Sequence, residues 1–160
     1  MRWVDVLLSV ALAEGEIRVL PPAEARTVSV RFVLKTLKLA TTNEFAAVNV
    51  AGLNGEPLQF IRRRARTLSA VLSFDGRATN TDVRQLMRPV IELMRVDRHT
   101  HAPPVLSFEW SGQSFQCVLE RVTEEFRALF SDGRPSRGRM HVVFRESLTL
   151  TQLEQEAERE

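Results

Sequence analysis

Between Arg66 and Glu146 the spacing of the hydrophobic residues changes twice, and that change limits the folds open to this chain. Leu68, Ala70, Leu72 and Phe74 alternate with Thr67, Ser69 and Ser73, the two-residue repeat of a strand with one buried face. Asp75-Gly76 ends the run as a turn, because glycine reaches positive φ at little steric cost. Val83, Leu86, Met87, Val90 and Met94 then fall three and four residues apart, which draws an apolar stripe along a helix. Thr79 is placed to cap that helix, with Asp82 three residues on, and Pro89 is expected to kink or split it. After Pro103-Pro104 the alternation returns. This order predicts a mostly-β (α+β) domain with one principal helix at about 79–95. Its core should join Leu72, Phe74, Phe108, Trp110 and Phe144 to Val83, Leu86 and Val90.

Elsewhere the pattern is less regular. Trp3 to Ala13 is apolar enough for a strand or a short helix, and Gly15 and Pro21-Pro22 read as breaks after it. Thr27 to Leu39 reads as one long strand or a pair, with Val28, Val30, Phe32 and Leu34 on one face. Thr41 to Pro57, rich in Asn and Gly, reads as a long irregular connection of the kind that often meets a partner. Leu58 to Ile61 is expected to extend the following strand, with Arg62-Arg63-Arg64 as an exposed bulge or edge. Val105 to Trp110, the turn Ser111-Gly112-Gln113 and the run Phe115, Cys117, Leu119 form a hairpin signal. Glu124, Phe126, Ala128 and Phe130 are expected to share a face before Ser131-Asp132-Gly133-Arg134-Pro135 turns the chain. Met140, Val142 and Phe144 alternate on a last strand, giving five to seven strands in all. Residues 1–149 read as a single domain and 150–160 as an acidic, helix-prone and frayed tail.

Composition narrows the function classes. The net charge of +2 is too small to imply a nucleic-acid partner, and the acid gathers in the last eleven residues, which hold four Glu and one Arg. Cys117 is the single cysteine, which excludes an internal disulfide framework. Val6 to Ala13 is too short for a membrane span and is interrupted by Ser9, so neither a signal peptide nor a membrane anchor is expected.

Few constellations carry chemistry. Asp97, His99 and His101 lie close together, but no fourth ligand is placed by spacing, and a solvated loop is the simpler reading. Cys117 alternates with Phe115 and Leu119, which makes it a buried small hydrophobe rather than a nucleophile. His141 falls on the outward face of the last strand. No phosphate loop, Ser/His/Asp arrangement or carboxylate pair stands out, so no enzymatic activity, cofactor or metal is expected. The run Arg62-Arg63-Arg64-Ala65-Arg66 admits three readings. It is a solvated edge that discourages aggregation, a contact to an acidic neighbouring subunit, or a phosphate grip without the interleaved aromatics of a base-stacking platform.

Five segments carry a resemblance when taken in order. They are Leu68-Ser69-Ala70-Val71-Leu72-Ser73-Phe74-Asp75 with Thr81-Asp82-Val83-Arg84, Pro103 to Trp110, Phe115 to Glu120, Leu129 to Pro135, and Val142 to Glu146. Over roughly Thr27 to Glu146 the chain resembles the tube-type domain of contractile injection systems, the phage-tail-like particles of bacteria. It departs from that pattern at Phe32, which is followed by Val33-Leu34 rather than Asn-Pro, and at the triple arginine, which replaces a small, glycine-rich region. Residues 1–22 have no matched counterpart, and the LysM domain that often follows is absent up to Glu160, so cell-wall binding is not expected.

The resemblance implies two packed antiparallel sheets forming a small barrel or sandwich, with one helix outside. It also implies a structural subunit of a six-fold homo-oligomeric ring that joins the spike or hub of the baseplate to the inner tube. Such a chain is made in the cytoplasm and becomes part of the particle. A main tube subunit, or a phage tail-tube protein, is the alternative; a nucleic-acid module using Arg62–Arg66 is a second. On the ring reading Arg62, Arg63, Arg64, Phe45, Val48, Val50 and Leu53 form a subunit interface, because the loop is too long for a connector and too apolar for free solvent.

Overall fold

The computed structural model describes residues 11–159. Within them the strands are β1 (Leu12–Val19), β2 (Thr27–Val33), β3 (Lys38–Ala40), β4 (Asn43–Ala47), β5 (Leu58–Arg63), β6 (Thr67–Asp75), β7 (Leu106–Trp110), β8 (Gln113–Leu129) and β9 (Pro135–Glu146). Two α-helices, α1 (Val83–Ile91) and α2 (Leu150–Arg159), complete the regular structure. Seven strands form one antiparallel sheet in the order β2-β1-β7-β8-β9-β6-β3, and β4 and β5 form a second sheet by themselves. The large sheet curls until β2 meets β6 at Phe32 opposite Leu72, which closes β1, β2, β6, β9, β8 and β7 into a barrel. Just beyond that position the Thr36 hydroxyl donates to the Val33 carbonyl at 2.6 Å and accepts from the Val71 N–H at 3.0 Å. A side chain thus continues the seam where the β2 backbone has turned away.

The alternation read from the sequence points into this barrel. Leu68, Ala70 and Leu72 of β6, Leu106 and Phe108 of β7, Phe115, Cys117 and Leu119 of β8, and Met140, Val142 and Phe144 of β9 are all buried. Phe108 sits at the centre, its ring 5.9 Å from Phe32 and 5.2 Å from each of Trp110 and Phe144. The turn between β7 and β8 is the two-residue kind, with Ser111 and Gly112 both at positive φ, as a tight hairpin requires. Phe74 and Trp110 lie at one end of the barrel and are only partly buried.

Helix α1 closes the structure on the outside with Val83, Met87 and Val90, all fully buried, but Leu86, expected in the core, is 37% exposed. The start of the helix also differs from the sequence reading. Thr79 lies in a 3-10 turn, Arg77–Thr79, which the left-handed Asn80 ends, and the cap is Asp82, whose carboxylate accepts the Arg84 N–H at 2.9 Å. Asp82 wins because it stands two residues before a free N–H of the first turn. The Arg84 guanidinium and N–H hold the Asp82 carboxyl down to about 2. Pro89 stays inside the helix, which passes into a 3-10 turn at Glu92–Met94 that buries Leu93.

Six further expectations are corrected. Gly15 does not break the chain but lies within β1 opposite Val30. A Cβ there would come 3.2 Å from the Glu109 carbonyl oxygen, so the residue marks close packing rather than a turn. Leu34 leaves the face of Val30 and Phe32 for a 3-10 turn and is exposed. Thr41 to Pro57 is not wholly irregular, since β4 forms within it, and Leu58 to Ile61 pairs with β4 instead of extending β6. With β3 and β4 formed, the described residues hold nine strands rather than five to seven. In β8, register shifts after Phe126 and Ala128 break the face expected of Glu124, Phe126, Ala128 and Phe130. The C-terminal segment forms α2, opened by a reciprocal cap: Gln152 N–H to the Thr149 hydroxyl at 3.2 Å and Thr149 N–H to the Gln152 amide oxygen at 2.8 Å. The early segment 1–10 lies outside the described residues.

Two stability predictions follow from this packing. Phe144→Ala should lower the unfolding free energy in chemical denaturation by about 3–5 kcal/mol, and Phe74→Ala by distinctly less. Thr36→Val should cost about 1–3 kcal/mol, because it leaves the Val71 N–H without its acceptor at the seam. Equal losses for the two phenylalanines, or no loss at Thr36, would show that the barrel is not closed in this way.

Candidate assembly interface

Hairpin β4–β5 forms a two-stranded sheet of its own, apart from the barrel. Its register runs from Asn43 opposite Arg63 to Ala47 opposite Leu58, with a bulge between Glu44 and Phe45. Phe45 and Phe60 face each other, their rings 5.7 Å apart and nearly perpendicular, yet both are about half exposed. Leu58 and Ile61 are also exposed, as are Val50 and Leu53 in the connecting loop, while Val48 is half-buried and donates its N–H to Pro57. A lone two-stranded hairpin is marginal in water, and its apolar residues gain nothing until something covers them.

The arginines stand at the root of this hairpin, where their partners differ. Arg62 and Arg64 share one carboxylate, Glu44, at 2.8 Å and 3.3 Å. The Arg62 hydrogen bond, against slight burial and with Arg64 beside it, holds the Glu44 carboxyl below its ordinary range. Arg63 lies 3.6 Å from Glu146 and 3.9 Å from Glu156 of α2. All three guanidinium side chains remain largely exposed, so these pairs add little stability and leave the cations available.

Arg66 has a different task. Its Nε donates to Glu146 at 2.7 Å, its backbone N–H reaches the same carboxylate, and its carbonyl accepts the Glu146 N–H at 2.8 Å. The guanidinium also lies over the Phe115 ring, 5.5 Å from its centroid. Glu146 was not singled out by the sequence reading. The signal was present, since Met140, Val142, Phe144 and Glu146 continue one alternation and place a carboxylate at an inward position. Burial works to raise the Glu146 carboxyl, but the Arg66 hydrogen bonds outweigh it and hold the group below its ordinary range.

The other candidates stand apart from this region. Asp97 accepts the backbone N–H groups of His99 and Thr100, so its carboxylate shapes the loop, and both His99 and His101 are exposed. Among the described residues no three His, Cys, Asp or Glu side chains are grouped to hold a metal. Cys117 is fully buried, and burial pushes its thiol up to about 12, far from the thiolate a nucleophile needs. His141 is exposed and 3.1 Å from Glu125. No helix among the described residues is long and apolar enough to cross a membrane.

The Glu146 pair gives a pH prediction with a definite sign. A carboxyl lowered in the folded state stabilises above its unfolded value, near 4.5, and loses that contribution as pH falls through the folded value. Glu146→Gln should therefore cost about 1–2 kcal/mol at pH 7, reduced from a fully buried pair because Arg66 is partly solvated. The gap between variant and wild type should close as the pH drops below 4.5. A gap independent of pH in denaturation series would rule out the ion pair as its source.

Comparison with known proteins bears on this geometry. A search of curated protein sequences finds no match. The crystal structure of SPP1 Dit (gp 19.1), described as a paradigm of the hub adsorption apparatus in Gram-positive infecting phages, is similar with a TM-score of 0.50 and 14% identity. That likeness covers 86% of this chain and 50% of the Dit chain, so this chain spans half the length of that protein, and at such identity the likeness concerns the fold. The profile of the contractile injection system tube protein matches residues 20–155, from the end of β1 into α2. Because that match takes in β2 to β9, the hairpin and α1, well over half of the chain, the chain belongs to the contractile injection system tube protein family.

Proposed function

We propose that this chain is a non-enzymatic ring subunit that joins the spike or hub of a tail-like particle to its inner tube, six copies closing one ring. The observation that carries the reading is the exposed hairpin β4–β5, whose phenylalanines and aliphatic residues stay half or more exposed among the described residues. On this reading Phe45, Val48, Val50 and Leu53 bury apolar area against neighbouring subunits, as obligate contacts do. Arg62, Arg63 and Arg64 set register and encounter rate more than affinity. Residues 1–149 then act as one assembly unit, with α2 as its acidic appendage. Membership in a tube family and a hub-like fold are both in keeping with a place on the particle axis.

A main tube subunit is the nearest competing reading, and copy number separates the two. An initiating ring is present in a fixed, small number per particle, whereas a tube subunit scales with tube length. The nucleic-acid reading has less support, because the net charge is only +2 and no aromatic residue is interleaved in the run Arg62–Arg66.

Replacing Arg62, Arg63 and Arg64 together by Glu should leave the monomer folded and abolish particles in electron micrographs of producing cells. Deleting residues 49–55 should do the same. Normal particles from either variant would remove that segment from the interface. Tight duplex DNA binding by the wild-type chain at physiological salt, lost in the triple variant, would favour nucleic acid instead.

A further inference from the structure

We propose that hairpin β4–β5 of one copy seats in an open depression at the far end of the barrel of a second copy, joining subunits head to tail. The proposal rests on the ring reading above and names the surface that receives the hairpin. The depression, about 1110 Å³, is bounded by residues of β1, β2, β6, β7 and β8 and by Leu86 of α1. Leu12, Phe74, Leu86 and Trp110 give it apolar walls, and Glu14 and Glu16 stand exposed on its rim.

Charge supplies the first argument for a second copy as occupant. Glu16 lies directly opposite Glu109 in the β1–β7 register, a like-charge placement that destabilises a sheet. Arg18 relieves only Glu109, at 3.1 Å. Arg31, across from Glu14, also lines the depression but does not close to an ion pair. Among the described residues Glu14 and Glu16 have no ion-pair partner, so the rim has unanswered negative charge. The hairpin root has a small excess of the opposite sign: Arg62, Arg63, Arg64 and Arg66 stand against Glu44, Glu146 and Glu156, with Arg62 and Arg64 sharing Glu44.

Geometry supplies the second. β6 begins at Thr67 beside the arginines and ends at Asp75 beside the depression. At strand rise, its nine residues hold the two surfaces roughly 26 Å apart. The hairpin offers exposed apolar residues above a basic root, and the depression offers apolar walls below an acidic rim. Both are open in the same molecule, so neither covers the other. Two different, mutually complementary patches on one chain make a heterologous contact, which closes into rings or continues as stacks.

The test uses the purified full chain and exploits the inert, buried Cys117. Leu53→Cys is placed on the hairpin loop and Gln113→Cys on the depression, in separate chains, which are then mixed and mildly oxidised. The expected result is a disulfide-linked dimer of the two different variants. Its yield should fall about tenfold or more when Glu14 and Glu16 become Arg in the Gln113→Cys chain. The yield should return when the Leu53→Cys chain also carries Arg62→Glu, Arg63→Glu and Arg64→Glu. Val50→Cys with Ser114→Cys is a second pair should either first variant misfold. No mixed dimer with both pairs would overturn the proposal. So would predominant Leu53→Cys self-pairing, or capture of a different protein when the same oxidation is done on intact particles. Copy number per particle tests the ring reading separately, so a hairpin that docks elsewhere is distinguishable from a chain that is no ring subunit.

Discussion

Everything in this molecule depends on closing a curled sheet around a small aromatic centre. The closure is thin in backbone terms: β2 and β6 share one paired position, Phe32 opposite Leu72, and the Thr36 hydroxyl carries the seam one step further. What holds the seam is the interior behind it. Phe32, Phe108 and Phe144 come from three different strands and meet within 6 Å centroid spacings, at tilted angles that suit aromatic rings. Without closure those rings would face water, and without the rings two strands with so little ladder between them would separate. Closing the sheet also engages the β2 edge, while β3 and the strands of hairpin β4–β5 keep open edges.

Two close approaches fix what surrounds the barrel. A Cβ at Gly76 would fall 2.0 Å from the Thr81 carbonyl oxygen, so the turn after β6 can bring α1 to the wall only through a glycine. At Gly138 of β9 a side chain would meet Met87 and the Glu125 carbonyl oxygen, which lets the helix lie directly on the strand. At the other end of the barrel Arg66 and Glu146 clamp the start of β6 to the end of β9. Hairpin β4–β5 projects from that clamped end. The clamp below the hairpin fixes its root, so the ordering entropy of that segment is already lost.

The strands that build the barrel wall were legible because each alternates without interruption. Leu68 to Leu72, Phe115 to Leu119 and Met140 to Phe144 read as inward faces and are inward faces. Reading failed where a local rule met a tertiary one. Gly15 carried a turn signal, but Phe32 and the Glu109 carbonyl press on it from inside the barrel. Thr79 was a sound cap by composition, and Asp82 took the role because the chain turns sharply at Asn80 first. The bulges in β8 shift its faces one residue at a time, and nothing local announces them.

The sequence by itself determined the class of fold, the central alternation, the amphipathic helix after β6 and the burial of Cys117, because period and patterning act residue by residue along the chain. It also marked the arginine run and the apolar loop as unusual for a free surface. Only the tertiary structure decided that β4 and β5 leave the main sheet to pair with each other, that Arg66 separates from its neighbours to clamp Glu146, and that acidic and basic surfaces stand at opposite ends of β6. These are outcomes of strand pairing between residues far apart in the chain. A strand segment carries its face pattern with it but not the identity of its neighbour, which is settled by competition among all the edges the closed barrel leaves available.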